Sequence, residues 1–154
     1  MKVAEVRDYD FLNGDGIGVS VWVTGCPHHC YGCHNQDLWD VDPNGYECMD
    51  YIEALNKIRK CMDDPRIEKH LAILGGEPLA PYNIYEVSEI CRIIKEEYPS
   101  RPIWLWTGYN MEELNTEQRS ILKYVDFLIT GRFEIQNKVK NRYYGSSNQK
   151  IYRL

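Results

Sequence analysis

Three cysteines within eight residues, Cys26, Cys30 and Cys33, follow directly on a run that reads as a buried strand. In that run, Ile17 to Thr24, Val19, Val21 and Val23 fall on one face and Ser20, Trp22 and Thr24 on the other, the period of two that a strand imposes. Short intervening peptides bring soft thiolates to one centre with little loop-closure cost. The count of three is informative. A structural zinc site wants four protein ligands, whereas an iron–sulfur cube held by three cysteines leaves one iron open to a substrate. The zinc reading needs His28, His29 or His34 as fourth ligand; no second cysteine or histidine pair at a typical spacing lies nearby, as zinc modules usually supply.

The chain has 154 residues and a net charge of −5, which favours one domain, 1–154, around a single core. No apolar run reaches the length of a membrane span. The start, Met1-Lys2-Val3-Ala4-Glu5, lacks the apolar region of a signal peptide, so the expected location is the cytoplasm. The acidic balance argues against nonspecific nucleic-acid binding, which needs bulk electrostatic attraction to phosphate. Six cysteines in such a compartment read as thiols or metal ligands rather than disulfides. Of these, Cys61 and Cys91 fall in helical patterns and read as small core residues, while Cys48 has no partner spacing.

Around the cysteine loop the chain alternates between strand and helix signals. Val3 to Tyr9 reads as an edge strand, and Asn13-Gly14-Asp15-Gly16 as a turn. Asp37 to Gly45 is acidic and turn-rich, a solvated loop. Asp50 with Glu53 fits a capping box opening a helix with Ile52, Leu55, Ile58 and Met62 inward, stopped by Pro65. Leu71-Ala72-Ile73-Leu74, ending in Gly75-Gly76, reads as a buried parallel strand. Asn83 and Glu86 fit a second box before a helix burying Val87, Ile90, Cys91 and Ile94; a third strand, Ile103 to Thr107, closes at Gly108. A shorter helix is expected over Glu117 to Tyr124 and a fourth strand over Val125 to Ile129, closed by Gly131. This succession predicts an α/β fold with a mostly parallel sheet. From Lys138 onward the chain is basic and tyrosine-rich without an acidic residue, a pattern expected of a solvated tail, or of a docking surface.

In parallel α/β sheets, ligand sites gather beyond the carboxyl ends of the strands. The Cys26–Cys33 loop, Gly75-Gly76-Glu77-Pro78 and Thr107-Gly108-Tyr109 all fall at such ends. Adjacent glycines let a ligand approach the backbone closely, so the Gly-Gly-Glu-Pro turn beside three thiolates is a plausible cradle for a charged small molecule.

These motifs resemble the radical S-adenosylmethionine superfamily and, within it, the family of proteins that activate the anaerobic ribonucleoside-triphosphate reductase. The resemblance runs along nearly the whole chain: Asn13-Gly14-Asp15-Gly16, the loop Gly25 to Asn35, Gly75 to Leu79, Trp106 to Tyr109, Gly131-Arg132-Phe133 and Gly145 to Gln149. It implies an incomplete (β/α) barrel, since the complete eight-unit barrel takes about 250 residues. It implies that Cys26, Cys30 and Cys33 hold one [4Fe–4S] cluster whose fourth iron chelates S-adenosylmethionine. Gly32, Cys33 and His34 would line that cofactor; Gly75, Gly76 and Glu77 would receive its methionine ammonium. A reduced cluster would cleave the sulfonium, and the resulting radical would take hydrogen from a glycine of the reductase. The implied partners are the large subunit of that reductase and an electron donor such as a flavodoxin. The sequence departs from many superfamily members in having Gly32, not an aromatic residue, before the third cysteine; Tyr31 is the neighbouring adenine-stacking candidate. Lys138, Lys140 and Arg142, with Tyr143 and Tyr144, are candidates for docking the reductase. The rivals are another small radical enzyme, such as a different glycyl-radical activase or a 7-carboxy-7-deazaguanine synthase, and a non-catalytic zinc-stabilised interaction module.

Overall fold

The structure, a computed structural model, describes residues 1–140 and 143–154. Six strands form one sheet in the order β1-β2-β3-β4-β5-β6: β1 Val3–Asp10, β2 Gly18–Val23, β3 His70–Gly75, β4 Ile103–Trp106, β5 Phe127–Thr130 and β6 Lys150–Arg153. The four central strands pair in parallel, with β3 following β2, β4 following β3 and β5 following β4. Both edge strands run antiparallel to their neighbours. The expected α/β fold with a mostly parallel sheet is therefore present, and the first strand is an edge strand as its mixed composition predicts.

Helix α1, Tyr51–Met62, connects β2 to β3, and α2, Ile84–Glu97, connects β3 to β4. Between β4 and β5 the expected Glu117–Tyr124 helix is a single α-helical turn, α3 (Thr116–Ser120), continued by a 3-10 turn over Ile121–Tyr124. The capping box at Asp50 forms in full: Asp50 Oδ1 accepts from Glu53 N at 2.9 Å, and Glu53 Oε2 accepts from Asp50 N at 3.1 Å. The second expected box does not form. Asn83 Nδ2 instead donates to Thr24 O at 2.8 Å and Glu77 O at 3.0 Å, and Glu86 pairs with the N-terminal ammonium. Tertiary partners thus take both side chains that the local motif would have used.

Alternate residues of each strand face opposite ways, and the two faces of the sheet are covered differently. One face carries Val19, Val21, Leu71, Ile73, Ile103 and Leu105, packed with Ile58 and Met62 of α1 and Val87, Ile90, Cys91 and Ile94 of α2. Cys61 and Cys91 are both buried here, as small core residues. Ile52, expected on the inner face, is instead 57% exposed. At 100° per residue it lies about a third of a turn from the centre of the face shared by Ala54, Leu55, Ile58, Cys61 and Met62.

The other face carries a second cluster, Ala72, Trp104 and Ile129, with Leu74, Trp106, Phe127, Tyr143 and Tyr144 packed on it. Trp104 stacks on Phe127 at 4.0 Å between centroids and on Tyr143 at 5.6 Å, almost parallel. The C-terminal region is therefore not a solvated tail. Its last residues form β6 on the edge of β5, and Tyr143 and Tyr144 roof the aromatic cluster. Charged residues on a short, exposed edge strand conceal its alternation. Arg142 lies outside the described residues. Among the described residues, no helix is long and apolar enough to cross a membrane.

Burial separates two isoleucines of the same helix. Ile58→Ala should destabilise the fold by about 2–5 kcal/mol, as truncation of a fully buried side chain does, and Ile52→Ala by under ~0.5 kcal/mol. Denaturant unfolding monitored by circular dichroism measures both.

Candidate functional site

The four parallel strands end together, and each contributes its following loop to one cavity. The loop after β2 brings Cys26, Cys30 and Cys33, that after β3 Gly75, Gly76 and Glu77, that after β4 Thr107 and Gly108, and that after β5 Gly131 and Phe133. The cavity holds about 150 Å³. It opens into a larger groove of about 680 Å³ that shares Cys33, Asn35, Leu74, Trp106, Phe133 and Gln149 with it. The aromatic face of the sheet underlies that groove, with Tyr143 and Tyr144 on its lining and Lys140 beside them.

The backbone of the cysteine loop is locked to the Gly-Gly-Glu turn. Gly76 N donates to Val23 O, and Glu77 N to Gly25 O, both at 2.7 Å. A Cβ on Gly75, whose φ is +112°, would lie 2.6 Å from Val23 O, and one on Gly76 would lie 2.4 Å from Gly25 O. The glycine pair is thus required by the chain crossing over it, independently of any ligand.

Glu77 is fully buried and accepts four hydrogen bonds. Its Oε1 accepts from Leu79 N at 2.9 Å and Thr107 Oγ1 at 2.7 Å; its Oε2 accepts from Gly108 N at 2.7 Å and His28 Nε2 at 2.8 Å. Arg132 Nε donates to His28 Nδ1 at 3.2 Å. A guanidinium can only donate, so Nδ1 is the acceptor and the imidazole proton sits on Nε2, where it faces the carboxylate. Arg132 is held in turn by Glu113 at 3.1 Å. The side chain between the first two cysteines is therefore tied to the ends of three strands.

The cysteines are all free thiols and half-buried. Burial, with the Glu77 carboxylate and the neighbouring Cys30 adding to it, pushes the Cys26 thiol up to about 11. Burial and the adjacent Cys33 raise Cys30 as well. Thiolates so placed are costly unless a metal cation compensates them, and a cation would displace their protons. Asn35 N already donates to Cys33 Sγ at 3.4 Å, the type of contact that supports a ligating sulfur. Among the described residues, no three His, Cys, Asp or Glu side chains are grouped to hold a single metal ion. A cube takes each thiolate at a separate iron, and three thiols lining one cavity suit that demand.

Not every residue singled out from sequence lines this cavity. Gly32 packs against Ile135, whose Cδ1 lies 2.9 Å from where a Cβ would stand. His34 faces the larger groove, 5.7 Å from the Phe133 ring. Tyr31 is 83% exposed, so the aromatic lining comes from Trp106, Phe133 and Trp39. The sequence offered His28 only as a zinc ligand, Asn35 and Gln149 only as parts of the family resemblance, and Trp39 not at all. The signal was available for Phe133, since Gly131-Arg132-Phe133 follows the fourth strand. For Gln149 the signal was the Gly145–Gln149 stretch that carries the family resemblance; the structure shows it reaching back to Gly131 O at 2.8 Å while its Oε1 accepts from Gly145 N at 2.9 Å.

Three free thiols lie in one loop at the carboxyl ends of the parallel strands, and residues 12–152 match the family described as a 4Fe-4S single cluster domain. The chain is also 37% identical, over its full length and 99% of the relative's, to the anaerobic ribonucleoside-triphosphate reductase-activating protein of Vibrio cholerae. The corresponding protein of Pasteurella multocida is 39% identical over 100% of this chain and 98% of its own. That of Enterobacteria phage T4 is 36% identical over 99% and 94%. The chain belongs to the family of anaerobic ribonucleoside-triphosphate reductase-activating proteins.

Replacing Glu77 by Gln keeps its size but turns an amide NH₂ toward donors on one side. Leaving a buried N–H without an acceptor costs about 1–3 kcal/mol. Glu77→Gln should lower the unfolding free energy by that amount even in metal-free protein, and more than Thr107→Val does, as urea titration would read.

Proposed function

We propose that this chain is a radical enzyme of the cytoplasm, acting as one domain, that installs a glycyl radical on the anaerobic ribonucleoside-triphosphate reductase. The observation that carries this reading is the convergence of Cys26, Cys30, Cys33 and the Gly75–Glu77 turn on one cavity that opens into an apolar groove. Each thiolate would hold one iron of a [4Fe–4S] cluster. The fourth iron would then be left to S-adenosylmethionine. When bound, cluster and S-adenosylmethionine together supply a one-electron cleavage of the sulfonium that ends in hydrogen abstraction from a glycine of the reductase.

The chain's own part is to bind, orient and exclude water. Gly75 and Gly76 expose backbone beside the thiolates, where the methionine ammonium would be received. Glu77, having four donors already, would act by fixing that turn and adding negative potential, with little capacity left for direct contact. Cys33 would face the cofactor, with Gly32 and His34 flanking it on the loop. The groove beyond, walled by Phe133 and Tyr144, would admit the reductase segment that carries the glycine and keep bulk water from it. The open sheet is read as an incomplete (β/α) barrel whose missing side admits a large partner. An electron donor such as a flavodoxin would reduce the cluster. No side chain is asked to transfer a proton.

Anaerobic reconstitution tests this directly. The protein should bind iron and sulfide, cleave S-adenosylmethionine under strong reductant and yield a glycyl radical by electron paramagnetic resonance when mixed with the reductase. One zinc and no sulfide would refute it. Cys26→Ala, Cys30→Ala and Cys33→Ala should each abolish cluster assembly and S-adenosylmethionine cleavage, while Cys61→Ala and Cys91→Ala should retain both at some cost in stability. Equal loss in the two groups would reassign the ligands. Charge reversal at Lys138 and Lys140 together should weaken binding of the reductase, measured by calorimetry; unchanged affinity would remove the basic segment from the docking surface.

A further inference from the structure

Trp39 follows the cysteine loop at the end of the short 3-10 turn Gln36–Leu38. Its carbonyl accepts from the N–H of Cys26 at 2.8 Å. Its ring leans on His29 at 4.8 Å between centroids, and the residue lines the cysteine cavity. Its indole Nε1 is buried and has no acceptor among the described residues.

An indole N–H is a donor only, and a buried donor without a partner is rare enough in native folds to require a reason. Trp106 supplies the contrast. It lines the same cavity, yet its indole N–H is spent on Tyr143 O at 2.6 Å. The Glu77 oxygens cannot serve Trp39, since each already accepts from two donors. What the cavity offers instead is sulfur. Once a thiolate or sulfide carries charge it accepts N–H hydrogen bonds, and such bonds are among the factors that set cluster potentials.

We propose that the Trp39 indole N–H is a hydrogen-bond donor to sulfur of the cluster, on the side held by Cys26, and that it raises the cluster's reduction potential. This rests on the reading that Cys26, Cys30 and Cys33 hold a cluster. The sign follows from charge: reduction adds an electron, so a donor stabilises the reduced state more than the oxidised one. A carboxylate of S-adenosylmethionine is the other acceptor chemistry available, and the two differ in whether the cofactor must be present.

The test uses the full chain, reconstituted anaerobically, with Trp39→Phe keeping an aromatic ring against His29 while removing the donor. Iron and sulfide analysis comes first. A wild-type protein that binds neither would overturn the cluster reading, and this inference with it. With clusters in both proteins, a redox titration followed by electron paramagnetic resonance, without S-adenosylmethionine, should show a lower potential in Trp39→Phe. The expected shift is up to about tenfold in the ratio of reduced to oxidised cluster at fixed potential, ~59 mV for one electron. Equal potentials would overturn the proposal. So would a matching shift in Trp106→Phe, which would make the effect one of packing. A shift seen only with S-adenosylmethionine would overturn the sulfur assignment in favour of the cofactor's carboxylate. Should Trp39→Phe fail to load, ¹⁵N-indole labelling of Trp106→Phe protein gives a second reading. Pulsed resonance should detect a ¹⁵N coupling to the reduced cluster from Trp39, and its absence would overturn the proposal.

Discussion

The buried Glu77 carboxylate is the interaction on which the site's geometry depends. A carboxylate with no exposure is tolerated only when its lone pairs are matched, and here four donors meet it from different segments: its own turn, the end of β4 and the cysteine loop. A single side chain thus gathers loops that belong to separate βα units. The reach of each loop is short, and none has a core of its own. Without a common acceptor the strands would still pair, since pairing is set by β2 to β5, but their ends would lack a shared reference point.

The same division explains the sheet's asymmetry. Helices α1 and α2 cover one face with closely packed aliphatic residues, and that face holds most of the buried apolar residues. The opposite face is finished with aromatic rings and the returning C-terminal segment. Aromatic rings cover area with few rotatable bonds, so this face can be ordered without a helical layer and still leave a groove beside the cysteines. The helix-covered face holds the fold; the other leaves a groove beside the cysteines. The family's named activity is on another protein, and an open face suits that more readily than a cavity sealed on all sides.

How much of this was legible in the sequence varies with the range of the interaction. The strand before Cys26, the box at Asp50 and the three loops at strand ends are written in neighbouring residues, and all appear in the structure. The box at Asn83 fails because its two members have distant partners, Thr24 and Glu77 for one and the N-terminus for the other. Strand β6 was hidden for a related reason: Lys150 and Arg153 sit on an exposed edge, where alternation carries no hydrophobic contrast. Within the site, the gathering of the three cysteines on one cavity could be read from spacing. His28 and Trp39 could not, because what distinguishes them is a tautomer fixed from Arg132 and an unspent N–H. Both are properties of assembled loops.

Electrostatics ties these observations to the kind of ligand such a site favours. Cys26 lies close enough to Glu77 for the carboxylate to add to the burial that raises its thiol, so the cavity resists any further negative charge. The His28 imidazole facing it is neutral, its proton shared with Glu77, and Arg132 is already partnered by Glu113. Ionising the three thiols beside Glu77 would therefore leave a deficit of positive charge at the cavity. On the function proposed above, iron would supply part of it. A ligand bearing a sulfonium and an ammonium would supply the rest, whereas a phosphate-bearing ligand would meet repulsion with no free cation among these groups to relieve it. On the function proposed above, a preference for a cationic cofactor would follow from a residue whose first duty is to hold the loops together, so that one carboxylate would serve both geometry and charge selection.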